Sequence, residues 1–133
     1  MSLPSTLNVN IDKENDGSAI AVVLTELDRS ADRSRYKFPN HSLISRDQVE
    51  FMRTFNKKSG NFNGVARASI KLTRDVSVPG VDVTTMVTAP QIAQISFNNP
   101  VGTTPAQDLE LAMRLVGIII DNVIRPKLLA LEV

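Results

Sequence analysis

Residues 65–74 read VARASIKLTR, and their alternation decides how the rest of the chain is read. Ala66, Ala68, Ile70 and Leu72 fall on one side of an extended chain, and Arg67, Ser69, Lys71 and Thr73 fall on the other. Successive strand side chains point to opposite faces, so this segment is a half-buried strand with one apolar and one polar face. Ordinary solvated faces mix both charge signs. This one carries two cations, two hydroxyls and no acid.

Upstream, DQVEFMRTF (47–55) also alternates, with Val49, Phe51 and Phe55 opposite Glu50, Met52 and Thr54. Thr54 joins the polar face if Val49 and Phe51 are core; Arg53 joins it if the strand is flipped by one. The first register is preferred, with Arg53 reaching the same face from the strand end. NKKSGNFNG (56–64) then forms the loop between two antiparallel strands. Near the N-terminus, STLNVNI (5–11) and AIAVVLTEL (19–27) read as a hairpin across the turn DKENDGS (12–18). DRSADRSRYKFPNHS (28–42) is polar without helical periodicity, and RYKF (35–38) is a candidate short strand.

Downstream, RDVSVPGVD (74–82) reads as an irregular loop turning at Pro79-Gly80. A β-branched run extends from Val81 to Phe97. Pro90 cannot donate to a ladder, so the run has an edge, a bulge or a bend there. Its last part puts Ala93, Ile95 and Phe97 on one face and Ile92, Gln94 and Ser96 on the other.

The period changes at the C-terminus. Thr104-Pro105-Ala106-Gln107 is a capping box with proline at the first helical position. Leu109, Met113, Val116, Ile120 and Val123 follow at helical spacing, with Leu111, Leu115 and Ile119 on an adjoining stripe. Only Glu110, Arg114, Gly117 and Asp121 form a polar line. Gly117 is a point of bending or division, and Pro126 interrupts again, leaving KLLALEV (127–133) as a short terminal element. A helix resting on one sheet needs an apolar stripe about a third of its girth; this one is apolar around most of it. The surplus calls for a second surface, most simply another copy of the chain. At about 25 cal/mol per Å² of buried apolar area, a few added Leu, Ile and Val side chains contribute several kcal/mol to association.

The 133 residues match one domain, 1–133, and 42% hydrophobic with 22% charged residues is a globular composition. Without cysteine there are no disulfides and no thiolate metal sites. MSLPSTLNVN lacks the basic start and apolar core of a signal peptide, and the apolar stretches are too short to span a bilayer. Net charge is only +1, yet residues 29–74 hold eleven Lys and Arg against three acids. A basic segment containing a cationic strand face points to nucleic acid. Catalytic parts are lacking. His41, the single histidine, sits in the turn-like FPNHS. No nucleophile–base–acid set, zinc ligand set or glycine-rich phosphate loop is present, so neither an enzyme nor a cofactor or metal is expected. The acidic DKEND turn is the one place suited to a cation at an interface.

The order of hairpin, antiparallel strands and C-terminal helix, an α+β arrangement with helices on one sheet face, resembles the coat proteins of small single-stranded RNA bacteriophages, the levivirus type. The resemblance is strongest from NGVARASIKLTRDVSVPGVDV through AQISF to TTPAQDLELAMRL and looser over the first 45 residues. It implies an interlocked homodimer with a continuous sheet, each helix lying across the partner's sheet through Leu109, Leu111, Met113, Leu115, Val116, Ile119 and Ile120. It also implies an icosahedral shell in the virion, assembled in the bacterial cytoplasm around a single-stranded RNA genome. The inner sheet face would bind that RNA, including a stem-loop operator, through Arg67, Ser69, Lys71, Thr73, Gln94, Ser96, Arg53 and Thr54. The loop Arg74, Asp75, Val76, Ser77, Val78, Pro79, Gly80, Val81 and Asp82 would make contacts at the shell's symmetry axes. Ile92 and Pro90 stand where the family often has a polar residue and a stacking aromatic. A non-viral dimeric RNA-binding module and a small β-rich enzyme or ligand carrier, with a pocket under the helix, are the alternatives.

Overall fold

The computed structural model describes residues 2–55 and 58–132. Six strands, β1 (Thr6–Ile11), β2 (Ile20–Arg29), β3 (Arg33–Lys37), β4 (Asp47–Phe55), β5 (Val65–Pro79) and β6 (Met86–Pro100), precede two helices, α1 (Pro105–Ile120) and α2 (Ile124–Leu129). The strands form one sheet in sequence order, every neighbour antiparallel. Such a meander needs only short connections, which matches the turn-rich segments between the alternating runs. Of the loop 56–64, Asn56 and Lys57 lie outside the described residues. Ser59 and Phe62 exchange two backbone hydrogen bonds of 3.0 Å at its tip.

The strand core lies on one face. Leu24, Tyr36 and Val49 are buried, and Leu7, Val22, Phe38, Phe51 and Ile70 pack against them. Tyr36 is wholly buried and meets Phe51 edge-on, with ring centroids 5.7 Å apart. Its hydroxyl donates to the Pro4 carbonyl at 2.7 Å and accepts from Arg29 at 3.1 Å, which ties the N-terminal segment to the sheet. A register shift between Glu26 and Asp28 marks a bulge in β2.

Two strand expectations are corrected. Arg74 to Pro79 is not an irregular loop: β5 continues to Pro79, and β6 runs from Met86 to Pro100 instead of starting at Val81. The alternation simply carries on through RDVSVP, and Pro79 sits at the strand's end, where a missing donor is tolerated. Pro90 lies within β6, an edge strand, one of the three arrangements its missing donor allows.

At the C-terminus the capping box forms in full. Thr104 Oγ1 accepts from the Gln107 amide at 3.3 Å, and Gln107 Oε1 accepts from the Thr104 amide at 3.0 Å. Gly117 does not divide α1; the break comes at Asp121, whose carboxylate accepts from the amides of Val123 and Ile124 at 2.8 and 2.9 Å. Pro126 stands inside the first turn of α2, where its missing N–H costs nothing, so the second helix begins before it. Glu110 and Arg114, four residues apart on the polar line, form an ion pair.

The helices are not buried by their own chain. No residue of α1 or α2 is buried, and Leu109, Met113 and Ile120 remain about half exposed or more. Helix packing on a sheet face is thus slight inside one chain, and the apolar face itself stays partly bare, with Leu72 41% exposed. One polar tether is present: Asn15, in the β1–β2 turn, donates to the Ile120 carbonyl at 2.9 Å. Among the described residues no helix is long and apolar enough to cross a membrane. Replacing Tyr36 by Phe, which strips the Pro4 carbonyl of its donor, should lower unfolding stability by about 1–2 kcal/mol. Urea denaturation at fixed protein concentration reads this directly.

Candidate functional site

Directly opposed residues in an antiparallel pair share a face, so the registers assign every side chain of the sheet. Arg67 of β5 lies between Thr54 and Asn98, Ser69 between Met52 and Ser96, Lys71 between Glu50 and Gln94, and Thr73 between Gln48 and Ile92. The strand face seen in VARASIKLTR is therefore the middle column of a polar grid. Thr54 falls on it, as preferred. Arg53 does not: it is paired with Ala68 and turns to the opposite face, where it donates to the Ala31 carbonyl at 2.9 Å and stands 3.7 Å from Asp32. A residue one step from Thr54 cannot reach the same side of a pleated strand.

β3 extends the grid with a column absent from the residues expected at the site. Arg33, Arg35 and Lys37 oppose Met52, Glu50 and Gln48 and so face the same way. Their signal is present as cations at every second position of RSRYK, but a five-residue strand in a polar setting gives little else to mark it.

Charge on this face is not evenly spent. Asp28 binds Arg35, Glu50 stands 3.1 Å from Arg33, and Asp75 stands 3.0 Å from Arg46. Hydrogen bonding from Arg35 and from Arg46 holds the Asp28 and Asp75 carboxyls below the usual aspartate range, and those two arginines are raised in turn. Each acid is thereby matched by an arginine. Among the described residues of this face, Lys37, Arg67 and Lys71 have no acid partner and carry the positive surplus. Arg67 Nε donates to Asn98 Oδ1 at 2.6 Å, which orients the guanidinium and leaves its two terminal nitrogens to bind elsewhere.

Ser69 and Thr73 are sunk between longer neighbours, at 9% and 7% exposure, so they form the floor of the grid beneath Arg67 and Lys71. Gln94 and Ser96 lie on the outer column, and Ile92 interrupts that column with a half-exposed apolar side chain.

Beyond β4 the β5–β6 pair continues alone as a two-stranded ribbon. Arg46 pins its base, adding backbone and side-chain hydrogen bonds to Asp75 Oδ2 at 2.8 and 3.2 Å. At its tip Gly80 donates to the Thr85 carbonyl at 2.7 Å, while Asp82 accepts from the Thr85 amide and hydroxyl at 3.0 and 2.9 Å. A Cβ on Gly80 would lie 2.9 Å from the Thr85 oxygen, so only glycine fits. Val83 adopts φ 54°, a strained region for a β-branched residue, and Val81 and Val83 point freely into solvent.

Other candidates have structural employment. His41 Nδ1 accepts from the Asp47 amide at 3.1 Å. Asp12 in the acidic turn accepts from the amides of Asp16 and Gly17 at 3.1 and 2.7 Å, and no group of metal-ligating side chains gathers among the described residues. Two clefts are open: one of about 450 Å³ between the N-terminal segment and the β2–β3 turn, and one of about 410 Å³ where Leu129 of α2 approaches Asp47, Leu72 and Ala93 of the sheet.

No protein-family model and no curated protein matches the sequence. Solved structures do. The virus-like particle of bacteriophage AVE019 superposes with a TM-score of 0.72 at 12% identity, covering 96% of this chain and 94% of that one. The virus-like particle of Beihai levi-like virus 32 gives 0.69 at 18% identity over 82% and 84% of the two chains. The bacteriophage EMS014 coat protein gives 0.56 at 16% identity over 89% and 74%. The chain thus has the fold seen in levi-like phage coat proteins. Because the Arg46 guanidinium lowers the Asp75 pKa, the pinning of the ribbon base is complete above the ordinary aspartate pKa of about 3.9 and fades as the pH falls through the lowered value. An NMR titration of the Asp75 carboxyl carbon should give a midpoint below that of a free aspartate, and Arg46→Ala should return it upward.

Proposed function

We propose that this chain is a structural capsid protein that dimerises, assembles into a closed shell in the virion and packages single-stranded RNA against its polar sheet face. The observation that carries this is the unequal finish of the two sides of one sheet. One face presents Lys37, Arg67 and Lys71 without acid partners among the described residues, over a floor of hydroxyls. The helices that follow the sheet present Leu, Ile and Val side chains that their own chain leaves uncovered. The coat-protein fold supports the same conclusion.

In this scheme Arg67 and Lys71 meet phosphate oxygens, and Ser69 and Thr73 line the floor between them. Gln94, Ser96 and Thr54 supply contacts to bases and sugars, and Lys37 adds a phosphate site on β3. Leu109, Leu111, Met113, Leu115, Val116, Ile119 and Ile120 lie across the partner's sheet and interlock the dimer. The ribbon from Arg74 through Val76, Ser77 and Val78 to Pro79, with Gly80, Val81 and Asp82 at its tip, contacts neighbouring dimers. An isolated two-stranded ribbon is only marginally stable in water, and its bare valines suit a docking role. Recognition of one stem-loop operator, with repression of translation, fits less well, since Ile92 and Pro90 replace a polar and an aromatic contact.

Expression in bacteria followed by sizing and nucleic-acid extraction tests the whole scheme. Megadalton particles filled with RNA are expected; dimers that bind RNA without forming particles would reduce it to an RNA-binding module, and a monomer indifferent to salt would overturn it. Reversing charge at Arg67 and Lys71 together should leave dimers intact and weaken RNA binding. It should also flatten the dependence of log affinity on log salt by about 0.7 for each phosphate that the variant no longer neutralises. Val81→Asp with Val83→Asp should stop growth at dimers while RNA affinity is kept.

A further inference from the structure

The loop between β3 and β4, residues 38–46, ends in two bare aliphatic side chains. Ile44 is 91% exposed and Leu43 wholly so, and at the ribbon tip Val81 and Val83 stand out in the same way. Single apolar side chains on a surface are ordinary, but neighbours that both stand clear of the chain point to a contact.

The loop is built to hold this pair out. The Ser42 amide donates to the Ser45 carbonyl at 2.9 Å, and Ser42 Oγ accepts from the Ser45 amide at 3.1 Å, closing the turn beneath Leu43 and Ile44. Below it the His41 amide donates to the Phe38 carbonyl at 3.1 Å, while His41 Nδ1 accepts from the Asp47 amide. A braced tip loses little conformational freedom when it docks.

The loop is also bolted to the ribbon. Arg46, its last residue, holds Asp75 through backbone and side chain, and the Asp75 amide donates back to the Arg46 carbonyl at 2.8 Å. Loop and ribbon therefore leave the same end of the sheet, side by side. Their four bare side chains do not cover one another within the chain.

We propose that Leu43 and Ile44 form the seat for the ribbon tip of a neighbouring copy and receive its Val81 and Val83. This inference rests on the shell reading above and supplies the other half of its contact between dimers. A two-fold interface pairs one patch with itself and closes after two copies. Growth into a shell needs, in addition, a head-to-tail contact between two unlike patches, repeated around an axis until a ring closes. Two unlike apolar patches at one end of the sheet, fixed to each other by Arg46 and Asp75, meet that need. Charge permits the match: residues 38–46 hold no acid and residues 79–86 no cation, so no like charges are brought together. The backbone of Val83 is a separate pointer. Its φ of 54° suits glycine or asparagine, and a bare valine there makes no contact in its own chain to offset the strain. Two side chains a side make a small contact, which holds through its repetition around a closed shell.

Leu43→Asp with Ile44→Asp tests the seat, since side chains this bare can be changed without disturbing the fold. The unaltered protein should form particles, and the variant should stop at dimers that bind RNA with an unchanged salt dependence. Particles from the variant in undiminished yield overturn the seat and leave the shell reading standing. Loss of the dimer also overturns it, by placing the pair inside the dimer. Failure of the unaltered protein to form particles overturns the shell reading itself. Disulfides identify the partner patch, in a chain with no cysteine of its own. After treatment with oxidised glutathione, Leu43→Cys and Val83→Cys should each run at monomer mass alone and yield a species of twice that mass when co-expressed. Both thiols in one chain should give a ladder, the mark of head-to-tail contact. Self-cross-linking of either single variant, or no cross-link in the co-expressed pair, overturns the assignment. Val83→Gly should lower particle yield even though it relieves the strain; an undiminished yield overturns the role of the valine.

Discussion

Hydrogen bonding along the fifteen-residue β5–β6 ladder is the constraint on which the remaining architecture depends. It fixes which side chains of VARASIKLTR and QIAQISF share a face, because a pleat allows no intermediate orientation. The same ladder continues past β4 as the ribbon, and its outer strand leaves the open edge. Polar grid, ribbon and edge are thus three consequences of one pairing. A slip of one residue would send Ile70, Leu72 and Ile95 to the polar side and take Ile70 from its packing against the Leu24, Tyr36 and Val49 core.

A single sheet layer cannot supply everything its sequence asks for. Leu24, Tyr36 and Val49 are buried by strand neighbours and their own face, yet the helices find no comparable cover. Burial of those side chains is worth about 25 cal/mol per Å², far too much to be left to solvent in a stable assembly. On the proposed assembly, stability of the chain and formation of an oligomer are coupled, and a measured unfolding free energy belongs to a stated protein concentration. The polar face has the opposite character. Its acids are individually neutralised by arginines, so what remains is positive charge without an acid partner among the described residues. Exposed ion pairs of that kind contribute little to stability. Their effect here is to define which cations stay available.

Several elements are legible in the residues alone, for local reasons. Thr104, Pro105 and Gln107 determine where α1 begins, since capping chemistry lies within four consecutive positions. Period-two alternation determines the faces of 47–55, 65–73 and 92–97, and Val49 with Phe51 in the core places Thr54 correctly. Pro90 announces an edge, a bulge or a bend, because a missing donor is a property of the residue itself.

What needs tertiary structure is of another kind. Residues 74–79 read as a loop because Pro79-Gly80 is a strong turn signal, and only cross-strand pairing shows that the ladder outlasts β4. The column of Arg33, Arg35 and Lys37 joins Lys71 through β4, a neighbour remote in sequence, so no local pattern could place it. Arg53 has a side chain long enough to suggest reach around its strand end, and the pairing with Ala68 denies it. Which cations are unmatched depends on acids as distant as Asp28 from Arg35 and Asp75 from Arg46, distances set only when the sheet closes. Sequence determines each strand's two faces by its own period; which strands stand side by side, and hence where charge is left over, is decided by the register of the sheet.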